Sequence, residues 1–322
     1  MARRDGAAPA VSLSRRLRRS VAAKAAAPHE ELLTYWLHRE LARTQPARSL
    51  DRIHASDVTN QREQWCPKRH ALLQLTGKRA RPERISTADA VVFSQGNGLA
   101  TLMVNAMARA GMAWGDWVCT ACGRVETFAK RPKHCNCAAV RHSFRYQEVR
   151  VVSQESGISS GLDLLIEMPG STKLWVVEIK TYDKEKFKKL HAPLAEHSER
   201  TKLYLRGVEE SNHPQADMIR TDEAIIIYIS KGGWGMKDTR PREWGLADLW
   251  SPFKEFRVSR DDEAIQEYVD AATPLWHWQS GRAGLPSGVC PNSLCRRAKG
   301  CEVFDACFGG DYPAGSHRKD PA

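Results

Sequence analysis

Three residues of types that hold and use a divalent cation stand near the middle of the sequence: Asp163 and, after fourteen intervening residues, the pair Glu178 and Lys180. Both elements lie in apolar runs. Gly161-Leu162-Asp163 falls within 158–168, and Leu174-Trp175-Val176-Val177-Glu178-Ile179-Lys180 opens 174–181. Pro169-Gly170-Ser171 between them is a turn signal, so the spacing predicts two strands joined by a short hairpin. Residues i and i+2 of a strand share a face, so Glu178 and Lys180 project together while Ile179 packs the other way. Pairing across the hairpin brings Asp163 beside Glu178. Two carboxylates offer hard oxygen ligands to Mg²⁺ or Mn²⁺. Such an ion polarises a scissile phosphate and lowers the pKa of an attacking water. An ammonium alongside orients that water and offsets charge developing at phosphorus. A bare Glu-x-Lys is common in any protein. Here Glu178 lies in a strand too apolar to tolerate an unpaired charge, and clustered buried charge is more often functional than accidental.

The cysteines form a second set of chemistry-bearing residues. Nine are present, and eight fall into two groups. Clustered cysteines in a reducing compartment more often hold metal than form disulfides. Cys119-Thr-Ala-Cys122, twelve residues beginning with Gly123, then Cys135-Asn-Cys137 offers four thiolates, which suits tetrahedral Zn²⁺. The second pair is tighter than C-x2-C, so His134 is an alternative ligand to one of its cysteines. The zinc would fold a segment too short to have its own core. Cys290, Cys295, Cys301 and Cys307 form the second group, and Cys66 stands alone in Trp65-Cys66-Pro67.

These residues need a scaffold, and 322 residues are enough for one sizeable core with small appended modules. The chain is 42% hydrophobic and 27% charged, with no apolar run near the roughly 20 residues that span a bilayer. No apolar stretch with a small-residue cleavage site follows the basic N-terminus, so the expectation is a cytoplasmic protein without membrane contact. The formal net charge of +11 points to a polyanionic partner, most often nucleic acid.

Residues 1–28 read as a flexible basic arm. Helical periodicity covers 29–43, a helix starts near Pro67, and another spans 96–111. Strands are expected at 146–153, 158–168, 174–181, 224–230 and 255–259, with helices at 193–210 and 261–276. The cysteine-bearing stretch 114–140 reads as a zinc-ribbon-like insertion. His197 is a candidate for contact with a nucleic acid. Trp234, Trp244 and Trp250 read as core residues or as stacking platforms for bases.

With these residues in view, the sequence resembles the PD-(D/E)xK nuclease superfamily, and within it the RecB-like branch that includes the CRISPR-associated exonucleases and related phage nucleases. The likeness runs from about 57 to 307. It rests on Asp57 to Cys66-Pro67, Gly161-Leu162-Asp163, Glu178-Ile179-Lys180, the 193–204 stretch and the cysteine-rich end. It implies an α/β restriction-endonuclease-like core, a mixed central sheet flanked by helices, over 29–282. It implies Asp163, Glu178 and the Ile179 backbone carbonyl as metal ligands and Lys180 as the catalytic lysine. In place of the family's Gln-x3-Tyr on the helix after the Glu-x-Lys strand stands Arg200-Thr-Lys-Leu-Tyr204, which keeps the tyrosine. Arg200 can still contact a phosphate. The family's helical Gly-x3-His has no histidine here: the equivalent stretch is Gln95-Gly96-Asn97-Gly98-Leu99-Ala100-Thr101.

The branch with iron–sulfur cysteines implies a [4Fe-4S] cluster on Cys66, Cys301, Cys307 and either Cys295 or Cys290, within a C-terminal segment 283–322. The rival is a second zinc site on the four C-terminal cysteines. The function implied is a Mg²⁺- or Mn²⁺-dependent DNA exonuclease working on single strands or ends in recombination, repair or replication, with proteins of those processes as partners. The alternative is a nuclease-fold DNA-binding protein whose chemistry is impaired by the missing histidine.

Overall fold

A computed structural model describes residues 37–38, 41, 49–60, 65–77, 86–137, 139, 143–232 and 251–309. The basic arm, most of the 29–43 helix, the three loop tryptophans and the last residues of the chain lie outside them. The chain divides into two compact units, residues 1–46 with 83–92, and residues 47–82 with 93–322. In the first, Ser86 accepts from the Asp89 amide at 3.1 Å and donates to its carboxylate at 2.6 Å, a local cap at the start of a helix. All site residues discussed below belong to the second.

In chain order the elements are β1 (Ile53–His54), α1 (Ala55–Val58), α2 (Pro67–Thr76), α3 (Thr87–Arg109), β2 (Ala113–Cys119), β3 (Val125–Lys130), β4 (Phe144–Gln147), β5 (Val149–Val152), β6 (Ile158–Leu162), β7 (Leu164–Glu167), β8 (Leu174–Tyr182), α4 (Lys184–Lys188), α5 (Ala195–Glu209), β9 (Glu223–Ser230), β10 (Phe253–Ser259), α6 (Asp262–Gln279), α7 (Arg296–Lys299) and α8 (Phe304–Phe308). The fold is α/β with a mixed sheet. Seven strands form the main sheet in the order β10-β9-β8-β7-β2-β3, with β4 also on β2; β1-β6-β5 form a smaller one.

The sequence pattern explains the centre of the sheet. β8 runs parallel to β9 and antiparallel to β7, and both of its faces are covered. Val176 joins a core with Leu205 and Val208 of α5 and with Ile265 and Val269 of α6. Trp175, Val177 and Ile179 join the opposite core with Val104 of α3 and Leu164 of β7. Burying each such aliphatic side chain is worth about 1.5–3 kcal/mol, and alternate residues of one strand serve both layers. This leaves Glu178 and Lys180 on the Val176 face of β8, as the two-residue period requires.

Three elements differ from the sequence expectation. The 146–153 strand divides at Glu148 into β4 and β5, and the 158–168 strand divides at Asp163 into β6 and β7. Where the stretch 114–140 begins, β2 pairs with β7 through Ala113↔Ile166 and Trp114↔Leu165, so the insertion starts from the main sheet. The helix expected from 96 begins instead at Thr87 and runs through Gly96 and Gly98. Gly96 is where α3 passes closest to β8: a Cβ there would lie 2.8 Å from Thr181 Oγ1.

Candidate active site

Strand topology builds the site. β5 pairs with β6 through Val149↔Leu162 and Arg150↔Gly161. One step further along, the two chains part and lie end to end along one edge of β2, β7 against Ala113 and Trp114 and β4 against Asp116 to Cys119, with β3 on the other edge. The residues at the parting point are Glu148 and Asp163. Strand partings of this kind leave backbone groups and side chains facing an opening instead of a neighbour.

Asp163 is held by β8. Its Oδ2 accepts the Ile179 amide at 2.8 Å. Burial, then the Glu178 carboxylate, push its pKa well above the usual range; Lys180 and the Ile179 amide pull it back, and Glu148 adds a further upward push. Glu178 is 1% exposed, and neither carboxylate oxygen has a hydrogen-bond donor of acceptable geometry. Its close polar neighbour is Lys180, whose Nζ forms an ion pair with Oε1. A buried carboxylate left short of donors costs free energy that a cation can offset. The donor set therefore fits a hard divalent ion: two carboxylates that repel each other, one pinned by a backbone amide and one buried against the Lys180 ammonium.

Asp163, Ile179 and Lys180 line a cavity of about 1270 Å³; Glu178 is buried and does not line it. Arg52, Arg145, Arg150, Lys180 and Lys231 stand on the cavity wall against Asp116, Glu148 and Asp163. The cationic majority favours a polyanion, with a negative centre set within it. Gly96, Asn97, Ala100 and Thr101 of α3 also line it, so the stretch without the histidine does border the cavity, and Asn97 and Thr101 are the polar side chains it brings there.

α5 closes the site from the other face. Tyr204 is buried; its phenol is pushed well above its ordinary pKa by burial first and then by the Glu178 and Asp163 charges, so it remains a neutral hydroxyl beside them. Arg200, one turn earlier, is paired with Glu196 at 2.7 Å while its Nε is buried without a partner. His197 reaches the Tyr228 hydroxyl through Nδ1 at 2.8 Å, and the Leu194 amide donates to the same hydroxyl at 3.0 Å. Burial, with Lys180 and Arg200 adding to it, lowers the His197 pKa to about 3. It is a neutral ring tied to the strand next to Lys180 and is placed to buttress that strand.

Sequence reasoning missed Glu148. An acid in Arg145-Tyr146-Gln147-Glu148-Val149-Arg150, where polar and apolar residues mix, looks like an outward-facing strand residue. Its signal was Gly161: a Cβ there would sit 2.5 Å from Glu148 Oε2.

The first cysteine group converges. The thiols of Cys119, Cys122, Cys135 and Cys137 all lie within 4.8 Å of one another, and His134 is not part of the set. Cys119 ends β2, and the Cys119 carbonyl accepts the Gly123 amide at 2.9 Å, with Gly123 at φ 76° making the tight turn. Amides of Cys122 and Ala121 lower the Cys119 pKa to about 6, while partial burial and the neighbouring thiols raise Cys135 to about 12. Four crowded thiols of this kind could hold one metal ion. The group borders the main cavity, since Thr120 bonds Ser143 at 2.9 Å and both line it.

The second group gathers around Cys66, the N-cap of α2. Cys66 is in electrostatic contact with Cys290 and Cys307; Cys295 bonds Cys290, and Cys301 neighbours Cys307. Arg69 forks onto Glu302 at 2.9 and 2.7 Å, fastening α2 to the C-terminal segment. These thiols do not form a set as tight as the first. A four-iron cubane binds each thiolate to a different iron and so spreads them wider than one ion does.

No helix among the described residues is long and apolar enough to cross a membrane. No protein-family model matches the chain, and no curated protein matches it in sequence. Among solved structures it is similar to LHK-Exo in complex with dAMP, at 13% identity over 70% of this chain and 87% of that one, with a TM-score of 0.37. It is likewise similar to an alkaline exonuclease (LHK-Exo) from Laribacter hongkongensis, at 14% identity over 74% of this chain and 90% of that one, with a TM-score of 0.37. A likeness of this degree leaves the reading of the site to its own residues.

Proposed function

We propose that this protein is a divalent-metal-dependent DNA nuclease of the PD-(D/E)xK type, cutting ends or single strands as an exonuclease in DNA recombination, repair or replication. The observation that carries the reading is Glu178: a carboxylate with 1% exposure and no hydrogen bond of adequate geometry, whose charge acts on a pinned Asp163 that lines a cation-rich cavity with Lys180. Asp163, Glu178 and the Ile179 carbonyl would hold Mg²⁺ or Mn²⁺, which supplies phosphate polarisation and an acidified water. Lys180, on the same face as Glu178 and open to the cavity, orients the attacking oxygen and balances charge at phosphorus. Arg52, Arg145 and Arg150 bind backbone phosphates, which gives no sequence preference. Tyr204 keeps a neutral hydroxyl against the carboxylates, and Arg200 backs the site from α5.

Two further groups belong to this proposal. Cys119, Cys122, Cys135 and Cys137 hold structural zinc that shapes one wall of the cavity. Cys66 with Cys301, Cys307 and one or both of Cys290 and Cys295 holds a [4Fe-4S] cluster that ties α2 to the C-terminal segment. A second reading, a DNA-binding protein without cleavage, draws on Asn97 standing where the family places a histidine. Incubation with labelled single- and double-stranded DNA in Mg²⁺, Mn²⁺ or EDTA separates the two: metal-dependent cleavage supports the enzyme, and tight binding without cleavage supports the second reading.

A further inference from the structure

We infer that Glu148 is a third carboxylate ligand of the divalent-cation centre, its carboxylate lying against Gly161 two residues from Asp163. The inference rests on the reading of Asp163 and Glu178 as metal ligands and extends it to a residue on a different strand.

Glu148 and Asp163 are the two residues at which β5 and β6 stop pairing, directly after Val149↔Leu162. Both line the same cavity. Gly161 and Asp163 are two residues apart, so their side-chain directions share a face wherever the chain stays extended. Glu148 Oε2 lies 2.5 Å from the position a Gly161 Cβ would take, which puts that oxygen on the Asp163 face of the strand. The Glu148 charge reaches both Asp163 and Tyr204, the residues that face Glu178. Gly161 has a φ outside the left-handed region, so its backbone does not require glycine. A side chain there would instead displace the Glu148 carboxylate, the far end of an exposed side chain.

The chemistry favours a ligand here. Glu178 is nearly fully buried with both oxygens short of donors, which is the mark of a cation site and not of an acidic surface patch. Hard divalent ions take six or more oxygens, and two carboxylates with one carbonyl leave the shell poorly furnished by protein. The α3 stretch that borders the cavity offers Asn97 and no ionisable ligand. Glu148 supplies the missing anionic oxygen from the opposite wall. Glu148 itself is exposed, so its replacement leaves the core intact.

The test is Mn²⁺ binding to the full chain, read by electron paramagnetic resonance as loss of the free-ion signal, with no DNA present. Wild type is compared with Glu148→Gln, Glu148→Asp, Glu148→Ala, Asp163→Asn and Gly161→Ala. The expected result is a loss of affinity of at least ~10-fold in Glu148→Gln, comparable with Asp163→Asn. Glu148→Asp keeps the charge but loses reach, and is expected not to restore affinity. Gly161→Ala displaces the carboxylate, so it weakens Mn²⁺ binding in the wild-type background and adds nothing to Glu148→Ala. Unchanged affinity in Glu148→Gln beside a loss in Asp163→Asn overturns the assignment and leaves the cation centre standing. Wild-type affinity in Glu148→Asp also overturns it, since the charge would then act from a distance. Binding that Asp163→Asn does not weaken overturns the cation centre itself.

Discussion

The Ile179 amide donates to Asp163 Oδ2 across 2.8 Å, so the acid of one strand is fixed against the middle residue of the Glu-Ile-Lys triplet on the next. Ile179 faces the α3 core, while Glu178 and Lys180 take the other side of β8. One backbone hydrogen bond thus sets the distance between two carboxylates that repel each other, and a divalent ion is the group that resolves the conflict.

That repulsion gives Asp163 a linkage to pH. Its folded-state pKa is raised, by burial first and Glu178 second, so the native state holds a proton that the unfolded state releases. In metal-free protein, stability therefore falls as pH rises from the ordinary carboxylate range up to the raised value. Asp163→Asn removes this penalty. Without divalent metal, the variant is expected to melt several degrees above wild type near neutral pH, with the difference closing in acid; about 1 kcal/mol shifts Tm by roughly 2–4 °C in a chain of this size. Thermal melts in EDTA across pH check it. Mn²⁺ is expected to raise the wild-type Tm and to leave Asp163→Asn unmoved.

Lys180 is the ion-pair partner of a fully buried carboxylate. Removing one member of such a pair costs about 3–5 kcal/mol. Lys180→Ala is expected to lose stability of that order in EDTA and to recover much of it in saturating Mn²⁺, which neutralises Glu178 in turn. Urea melts with and without Mn²⁺ measure both quantities. An equal loss in the two conditions would argue that no cation reaches Glu178.

The four converged thiols predict about one zinc per chain. Cys122→Ser and Cys135→Ser are each expected to lose it, as read by metal analysis of purified protein. Because Thr120 and Ser143 join this unit to the cavity wall, DNA affinity is expected to fall with the zinc while Mn²⁺ binding holds. Zinc content unchanged in both variants would remove the site.

Anaerobically purified protein is expected to contain iron and acid-labile sulfide in equal amounts and to absorb broadly in the visible. Cys66→Ser and Cys307→Ser should bleach it. Zinc in place of iron, retained in Cys66→Ser, would instead assign the C-terminal cysteines to a second zinc site.

Much of the centre was legible in the sequence because it is local. An apolar run broken by Glu178 and Lys180 at a two-residue period can be read without knowing the fold, and Pro169-Gly170 announces the turn before it. The convergence of Cys119 and Cys122 with Cys135 and Cys137 was also local, set by spacing. What escaped was decided by strand order. Nothing in residues 113–119 says that one edge of this strand takes both β4 and β7. The breaks at Glu148 and Asp163 follow from that shared edge, so Glu148 looked like any polar residue on a strand. The start of α3 was misplaced because Gly96 and Gly98 resemble a helix boundary. Gly96 serves instead to let the helix pass Thr181.

The most direct test is cleavage of end-labelled single- and double-stranded DNA by anaerobically purified wild type, Lys180→Ala and Asp163→Asn, in Mg²⁺, Mn²⁺ or EDTA. Folding of each variant is verified by circular dichroism, and DNA affinity is measured alongside. The account predicts cleavage that needs the metal, stops in EDTA, and falls by roughly 100-fold or more in both variants while they still bind DNA. Intact DNA binding with no wild-type cleavage above Lys180→Ala, or cleavage indifferent to both substitutions, would contradict it.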